Sequence, residues 1–236
     1  MLDVAAGRGA ILIAAADKVG ADGYVIGIDL AEGMVQETAA EIGRKGLTNA
    51  TMRQMDAEHL AFGDASFDYV LCGFAIGGLD LDRTLLEFYR VLRPGGKVAM
   101  TVPGGSDGRW RWYNDLLLSY HDVYQIPLRP PRRGTPWEPS DLDTVLTRAG
   151  FVEVQATIEE QEFVYADEEE WWISKWTHGA RYPLERMQPE LLERFKSEVF
   201  ARLEPLKQLD GFHEVVRMLC VIGTKPRQVK NGTDHG

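Results

Sequence analysis

The chain has 236 residues with 44% hydrophobic and 26% charged side chains, enough apolar material for one packed domain with an insertion and too much for a disordered chain. Its formal net charge is −10, which argues against nucleic acid as a partner, because that affinity rests on neutralising phosphates. No apolar run approaches the roughly 20 residues of a membrane span, and Met1-Leu2-Asp3 lacks the basic start of a signal peptide.

In chain order, the pattern opens with a strand stub over Met1–Ala5 and an Ala/Ile/Leu helix over Ala10–Lys18 that ends near Gly20. Asp22-Gly23 signals a turn into a β-branched strand, Tyr24–Asp29. Glu32–Arg44 has helical spacing, with Met34, Val35, Thr38, Ala39 and Ile42 on one face. Thr51–Asp56 reads as the third strand. Phe67–Phe74 is near-continuously apolar, as a strand buried on both faces should be. Leu81–Leu92 is an amphipathic helix, stopped by Arg93-Pro94-Gly95-Gly96 before the strand Lys97–Val102. This alternation predicts βαβ units and a parallel sheet.

After Val102 the rhythm breaks into a Trp-, Tyr-, Arg- and Pro-rich stretch with one predicted helix around Trp112–Tyr124. Ser140 to Asp143 resembles a capping box opening a helix that ends at Ala149-Gly150. Phe151–Tyr165 is a strand, the stretch from Asp167 to Gln208 is mostly helical, and Gly211–Thr224 is the last strand. Cys72 and Cys220 both lie in strand-like runs, as buried thiols in a reducing compartment do, so the expected location is cytoplasmic. No Cys/His spacing resembles a metal site.

Between the first strand and its helix lies Asp3-Val4-Ala5-Ala6-Gly7-Arg8-Gly9. Glycines at 7 and 9 let the chain turn sharply and let a ligand approach the backbone beside a helix N-terminus. Alone, such a turn is also a plain strand–helix connection. Asp29 ends the next strand about twenty residues on, where a carboxylate can take both hydroxyls of a ribose; it could equally cap the following helix. Asp56 ends the third strand, where it could accept from an adenine amino group or simply stabilise a turn. Leu30 and Ala57 could sandwich the ring. The third glycine of a dinucleotide fingerprint is missing, since position 12 is leucine.

As a set, LDVAAGRG, GIDLAEGMV, MDAEHLAFGDASFDYV and LLEFYRVLRPGGKVAM resemble the class I S-adenosylmethionine-dependent methyltransferases, with the quinone C-methylating, UbiE/MenG-like branch similar over the core. The resemblance covers roughly residues 2–102. It implies an α/β fold with a doubly wound, seven-stranded, mostly parallel sheet in the order 3-2-1-4-5-7-6, the last strand antiparallel. The implied division is a cofactor-binding core over 1–102 and a cap insert over 103–139. A core helix and sixth strand follow over 140–166, then a helical cap insert over 167–210, the seventh strand over 211–225 and a flexible tail over 226–236.

The resemblance implies S-adenosylmethionine as cofactor, held by Asp3, Ala5, Gly7, Gly9, Asp29, Leu30, Asp56 and Ala57, with Cys72, Gly73 and Phe74 near the sulfonium. Ala5 stands where the family has a glycine. Relatives usually carry several tens of helical residues before the first strand, so the expectation is a true start upstream of Met1.

The implied reaction is O-, N- or C-methylation of a small molecule, aromatic or lipidic, by a monomer or homodimer. Phe74, Trp112, Tyr113, Trp172 and Trp176 could wall the substrate pocket, or the tryptophans and tyrosines could be the cap's own core. His178 and His121, in the two inserts, are the candidate general bases; the alternative for each is an ordinary helical histidine. Arg109 and Arg111, or Arg132 and Arg133 beside Arg129, could hold a substrate carboxylate or form a solvated face. After the fourth strand, Gly73-Phe74-Ala75-Ile76-Gly77 lacks the Asn/Asp-Pro-Pro-Tyr pattern of amino methylation on bases or glutamine. A second class stays open: a protein of this fold that binds the cofactor but catalyses cyclisation or isomerisation, or only binds a partner. A nicotinamide reductase is a third, less suited to the glycine pattern.

Overall fold

A computed structural model describes residues 1–106, 108–128, 138–177 and 181–227. Its elements are β1 (Leu2–Val4), α1 (Ala10–Val19), β2 (Val25–Asp29), α2 (Glu32–Arg44), β3 (Ala50–Gln54), β4 (Phe67–Gly73), α3 (Leu81–Val91) and β5 (Leu92–Ser106). They continue as α4 (Arg111–Tyr124), α5 (Pro139–Arg148), β6 (Val152–Tyr165), α6 (Glu168–Ser174), α7 (Arg181–Leu184), α8 (Pro189–Leu203) and β7 (Phe212–Thr224).

The seven strands form one sheet in the order β3-β2-β1-β4-β5-β7-β6, as expected. β1 pairs in parallel with β2 and β4, β2 with β3, and β4 with β5, so these five strands present their carboxyl ends at one edge. β7 runs the other way. Near the start of β5, Gly95 N–H donates to the Lys225 carbonyl just past β7 and Lys225 N–H donates to the Gly96 carbonyl, while Gly104 late in β5 abuts Arg217 nearer the start of β7. The order reverses between β1 and β4, the switch point at which ligands bind in open α/β sheets.

Contact density divides the chain into two compact units. The first holds Met1–Pro103, the described part of 132–158 and the described residues from Leu219 on; the second holds Gly104 to Leu128 and Glu159–Met218 as far as described. In the first unit the sheet is buried on both faces. Leu2, Val4, Ile28, Val70, Val98 and Met100 pack with Leu85, Phe88, Leu142 and Leu146 in one core. Leu12, Ala16, Val25, Ile42 and Met52 form another. The second unit has its own, aromatic core around Trp171 and Phe195, to which α8 contributes Phe195, Val199 and Leu203 at four-residue spacing.

Three local expectations shift. Arg93-Pro94-Gly95-Gly96 lies inside β5 rather than before it: Leu92 pairs with Phe67, and the register resumes at Tyr69 with Lys97. The glycine turn is thus a bulge that the ladder closes over. The capping box of α5 starts at Glu138, with Asp141 at its third position and Pro139 in the first turn. Ser140 is already helical, because proline at the helix entry fixes φ one step earlier. Asp56 lies beyond β3, which ends at Gln54.

The segment that follows β3 has no regular structure and is held by α3. Leu60 N–H donates to Glu87 at 2.7 Å, and the Arg90 guanidinium donates to Glu87, Asp64 and the carbonyls of Leu60 and Phe62. α3 itself opens on Asp80, whose carboxylate accepts from the Arg83 N–H at 3.2 Å. It buries Leu81, Leu85, Phe88 and Val91 while Leu86 on the same helix is exposed. Phe88→Ala should therefore cost about 3–5 kcal/mol, and Leu86→Ala should stay within about 0.5 kcal/mol, read as urea unfolding free energies of the two variants.

Candidate cofactor site

The turn from β1 to α1 places every other residue in the left-handed region: Ala5 has φ 53°, Gly7 φ 54° and Gly9 φ 79°. Gly9 is the N-cap of α1, and a Cβ there would stand 2.6 Å from the Thr38 methyl. No side chain is therefore tolerated at 9. Over Gly7 the opposite holds, because nothing lies within 4 Å of where its Cβ would be. A ligand has room to lie against the backbone there. α1 has no side-chain cap, which leaves its first N–H groups available to an anionic group.

Two side chains hold this turn. Asp29, at the end of β2, accepts from Gly7 N–H at 2.9 Å with one oxygen and from Ala31 N–H at 2.9 Å with the other. Each oxygen keeps a second lone pair. Both parts of the expectation for Asp29 are thus compatible: it caps locally and can still accept from a ligand. The hydroxyl of Thr38, buried on α2, donates to the Gly7 carbonyl at 2.8 Å. Thr38 was not foreseen as a site residue. Its signal was a polar residue on an otherwise apolar helix face.

Asp3 is the unusual group. It is 1% exposed, and neither carboxylate oxygen has a hydrogen-bond partner. Burial pushes its carboxyl up from 3.8 to about 7; the nearby Leu12 amide opposes the shift without completing a hydrogen bond, and the charge of Asp29 adds to it. A buried acceptor without a donor costs folding energy that a cationic ligand can recover.

Asp56 accepts from Glu58 N–H at 2.9 Å and faces the exposed His59 at 3.4 Å, so it makes a turn while keeping an exposed carboxylate edge. Leu30 is 68% exposed, whereas Ala57 is buried in the core beside Leu60 and Ile28. Cys72 is fully inside the same core, and burial pushes its thiol up to about 12; it is an inert packing group. At Gly73 an added Cβ would press on the tip of the Ile11 side chain. Phe74 follows with φ 55° and 57% exposure, its N–H held by the Thr101 carbonyl at 3.0 Å. Strained backbone at Ala5 and Phe74, just past two adjacent strands, concentrates at the switch point.

Asp3, Asp29 and Asp56 give this edge an acidic character. A pyrophosphate would be repelled here, while a ligand carrying an ammonium or sulfonium would be favoured. A surface hollow lined by Leu86, Tyr89, Arg90, Pro94, Lys225 and Arg227 lies at the opposite, amino end of β4 and β5 and contains none of these groups.

In the second unit, Trp172 and Tyr113 are buried and Trp112 and Trp176 half-buried around Trp171 and Phe195. His121 directs Nδ1 at the Ile126 carbonyl, 2.6 Å away, and so closes the end of α4. His213, which begins β7, bridges Glu162 and Asp210 at 3.0 and 2.9 Å. His178 and the arginines at 129, 132 and 133 lie outside the described residues. No helix among the described residues is long and apolar enough to cross a membrane.

A family model described as a methyltransferase domain matches residues 1–96, the stretch that carries the turn and the three carboxylates. Nocamycin O-methyltransferase of Saccharothrix syringae is 32% identical over 205 residues, covering 80% of this chain and 72% of that protein. The chain belongs to the S-adenosylmethionine-dependent methyltransferases. Demethylmenaquinone methyltransferase of Lactobacillus johnsonii is 41% identical over 101 residues, spanning 42% of this chain and 41% of its own length. Among solved structures, the YcgJ protein of Bacillus subtilis shares the fold with a TM-score of 0.63 at 18% identity, covering 96% of this chain and 91% of its own.

Two predictions follow from the turn of this methyltransferase. Ala5→Gly relieves a left-handed alanine and should raise unfolding free energy by about 0.5–1 kcal/mol, read by denaturant titration. Asp3 keeps a proton in the folded state that the unfolded chain releases above its ordinary value of 3.8. Stability should therefore fall as pH rises between about 4 and 7. Asp3→Asn should flatten that slope and be the more stable protein at pH 8, as urea midpoints at several pH values would report.

Proposed function

We propose that this methyltransferase holds S-adenosylmethionine at the β1–α1 turn and methylates an oxygen atom of a small-molecule metabolite. The observations that carry the cofactor assignment are the buried Asp3 carboxylate in β1, whose oxygens lack a partner, and the open space over Gly7 in the turn that follows it. That pairing of an orphaned acceptor with free space suits the ammonium of a methionine moiety. The uncapped start of α1 suits its carboxylate, the free lone pairs of Asp29 suit the ribose hydroxyls, and Asp56 with the exposed Leu30 suits the adenine.

The bound cofactor supplies a methyl group on a sulfonium, open to in-line displacement. The chain's own part is positioning: the turn fixes one end of the cofactor and Asp29 the middle, which lowers the entropic share of the barrier. Ala5, Gly7 and Gly9 contribute through backbone alone, and Gly73 and Phe74 border the same sheet edge.

Oxygen as the methylated atom rests on the extent of likeness. A match covering 80% of the chain must run into the second half, where the acceptor-specific residues are expected. The likeness to the menaquinone enzyme covers 42% and need not leave the cofactor half. The acceptor is accordingly sought among hydroxylated small molecules.

Isothermal titration with S-adenosylmethionine tests the first half of the proposal. The wild type should bind, and Asp29→Ala should weaken binding at least tenfold with the fold retained by circular dichroism; unchanged affinity would refute the ribose role. Because the cationic ligand needs Asp3 ionised, affinity should rise with pH from about 5.5 to 7, by at most tenfold per unit. In Asp3→Asn that dependence should vanish.

A further inference from the structure

The hollow at the amino end of β4 and β5 is built from several pieces of the first unit, and its charges do not balance. It measures about 620 Å³, within the range that takes a small ligand. Leu86 and Tyr89 on α3, Pro94 in the β5 bulge and Pro226 past β7 give it apolar walls. Its charged groups are Asp64, Arg90, Lys225 and Arg227. Pairing of Lys225 with Gly95 and Gly96 holds the chain beyond β7 at the bulge, and Lys225 and Arg227, two residues apart, both line the hollow.

Arg90 is fully engaged. Its five N–H groups go twice to Glu87, once to Asp64, and to the carbonyls of Leu60 and Phe62. Asp64 and Glu87 are thereby compensated. The other two cations are not. The Lys225 ammonium donates to the carbonyls of Tyr89 and Leu92 at 2.7 and 2.8 Å and lies 4.6 Å from the Tyr89 ring centroid. That uses two of its three N–H groups. Burial lowers its pKa from the ordinary value, with the charge of Asp64 acting against the shift. The Arg227 side chain lies over Gly95, where a Cβ would stand 3.2 Å from its Nε. Arg227 is exposed and has no ion pair among the described residues. Two uncompensated positive charges therefore share one hollow on a chain of net charge −10.

This set of groups selects its ligand by charge and by shape. A carboxylate matches the planar fork of Arg227 and gains from the charge of Lys225. Leu86, Pro94 and Pro226 offer cover to hydrocarbon. A doubly charged phosphate is held back by Asp64 on the same lining, and a cation meets Lys225 and Arg227.

We infer that this hollow binds a monoanionic amphiphile, a carboxylate with a short apolar body, its head at Arg227 and Lys225 and its body against Leu86, Pro94 and Pro226. The site lies at the sheet end away from the β1–α1 turn and does not rest on the cofactor assignment.

The test is calorimetric titration of the intact protein with octanoate, octan-1-ol, acetate and octyl phosphate. Octanoate should bind tightest, with octanol and acetate each about tenfold weaker. Arg227→Gln should weaken octanoate about tenfold and leave octanol unchanged, while Leu86→Asp should weaken both. Both positions are exposed, so the two variants should keep the wild-type melting temperature. Octanoate affinity should be the same with and without excess S-adenosylhomocysteine. Equal binding of octanoate and octanol, no binding of octanoate, or tightest binding of octyl phosphate would overturn the inference. So would wild-type octanoate affinity in Arg227→Gln, or displacement of octanoate by S-adenosylhomocysteine, which would put it at the cofactor turn instead.

Discussion

The carboxylate of Asp29 joins three pieces of chain: the end of β2, the turn after β1 and the start of α2. One oxygen fixes Gly7 and the other Ala31, each at 2.9 Å. With Gly7 fixed, its carbonyl can take the Thr38 hydroxyl, and Thr38 then fills the space that excludes any side chain at Gly9. The turn that holds Ala5, Gly7 and Gly9 in left-handed conformations is thus over-determined by its neighbours, which is the condition under which strained conformations persist. A loosened turn would cost this edge of the sheet its shape before it cost the core much stability.

That constraint explains why the site is polar where the fold is driest. β1 is only three residues long and buried throughout, so a carboxylate at its centre has no route to solvent. Asp3 is destabilising for the protein alone, and the sign of its shift says so. The negative charge of Asp29 adds to the cost of ionising Asp3. A ligand that brings positive charge to these acids relieves that cost. A dinucleotide, with its pyrophosphate, would aggravate it.

The cofactor half was legible because its signals are local. Strand and helix periods, two glycines after the first strand and acids at or just past the ends of the next two occupy fixed sequence positions, and the sheet order followed from resemblance. Local signals failed where tertiary pairing decides. The Pro-Gly-Gly stretch read as a strand's beginning, yet the ladder to Phe67 carries it into β5. Ser140 read as a cap, yet proline one residue earlier set the helix start. Ala57 and Cys72 were drawn as ligand contacts from their positions beside site residues. Strand alternation directs Cys72 into the core, a matter of which face it takes and not of how near it lies. Trp112 and Tyr113 were visible as aromatics, but the fact that their polar atoms lack partners exists only in three dimensions.

The two units pose complementary versions of one problem. In the first, an acceptor, the Asp3 carboxylate, is buried without a donor; in the second, two donors on Trp112 and Tyr113 are buried without an acceptor. Thr84 is the remaining orphaned side chain of this kind among the described residues, and each such group calls for an explanation. Methyl transfer joins a cationic donor molecule to an electron-rich acceptor molecule. The unmet acceptor in the first unit suits the cationic one. On that logic Asp3→Asn, which should stabilise this protein above neutral pH, should also damage its cofactor binding, as expected where stability is traded for function.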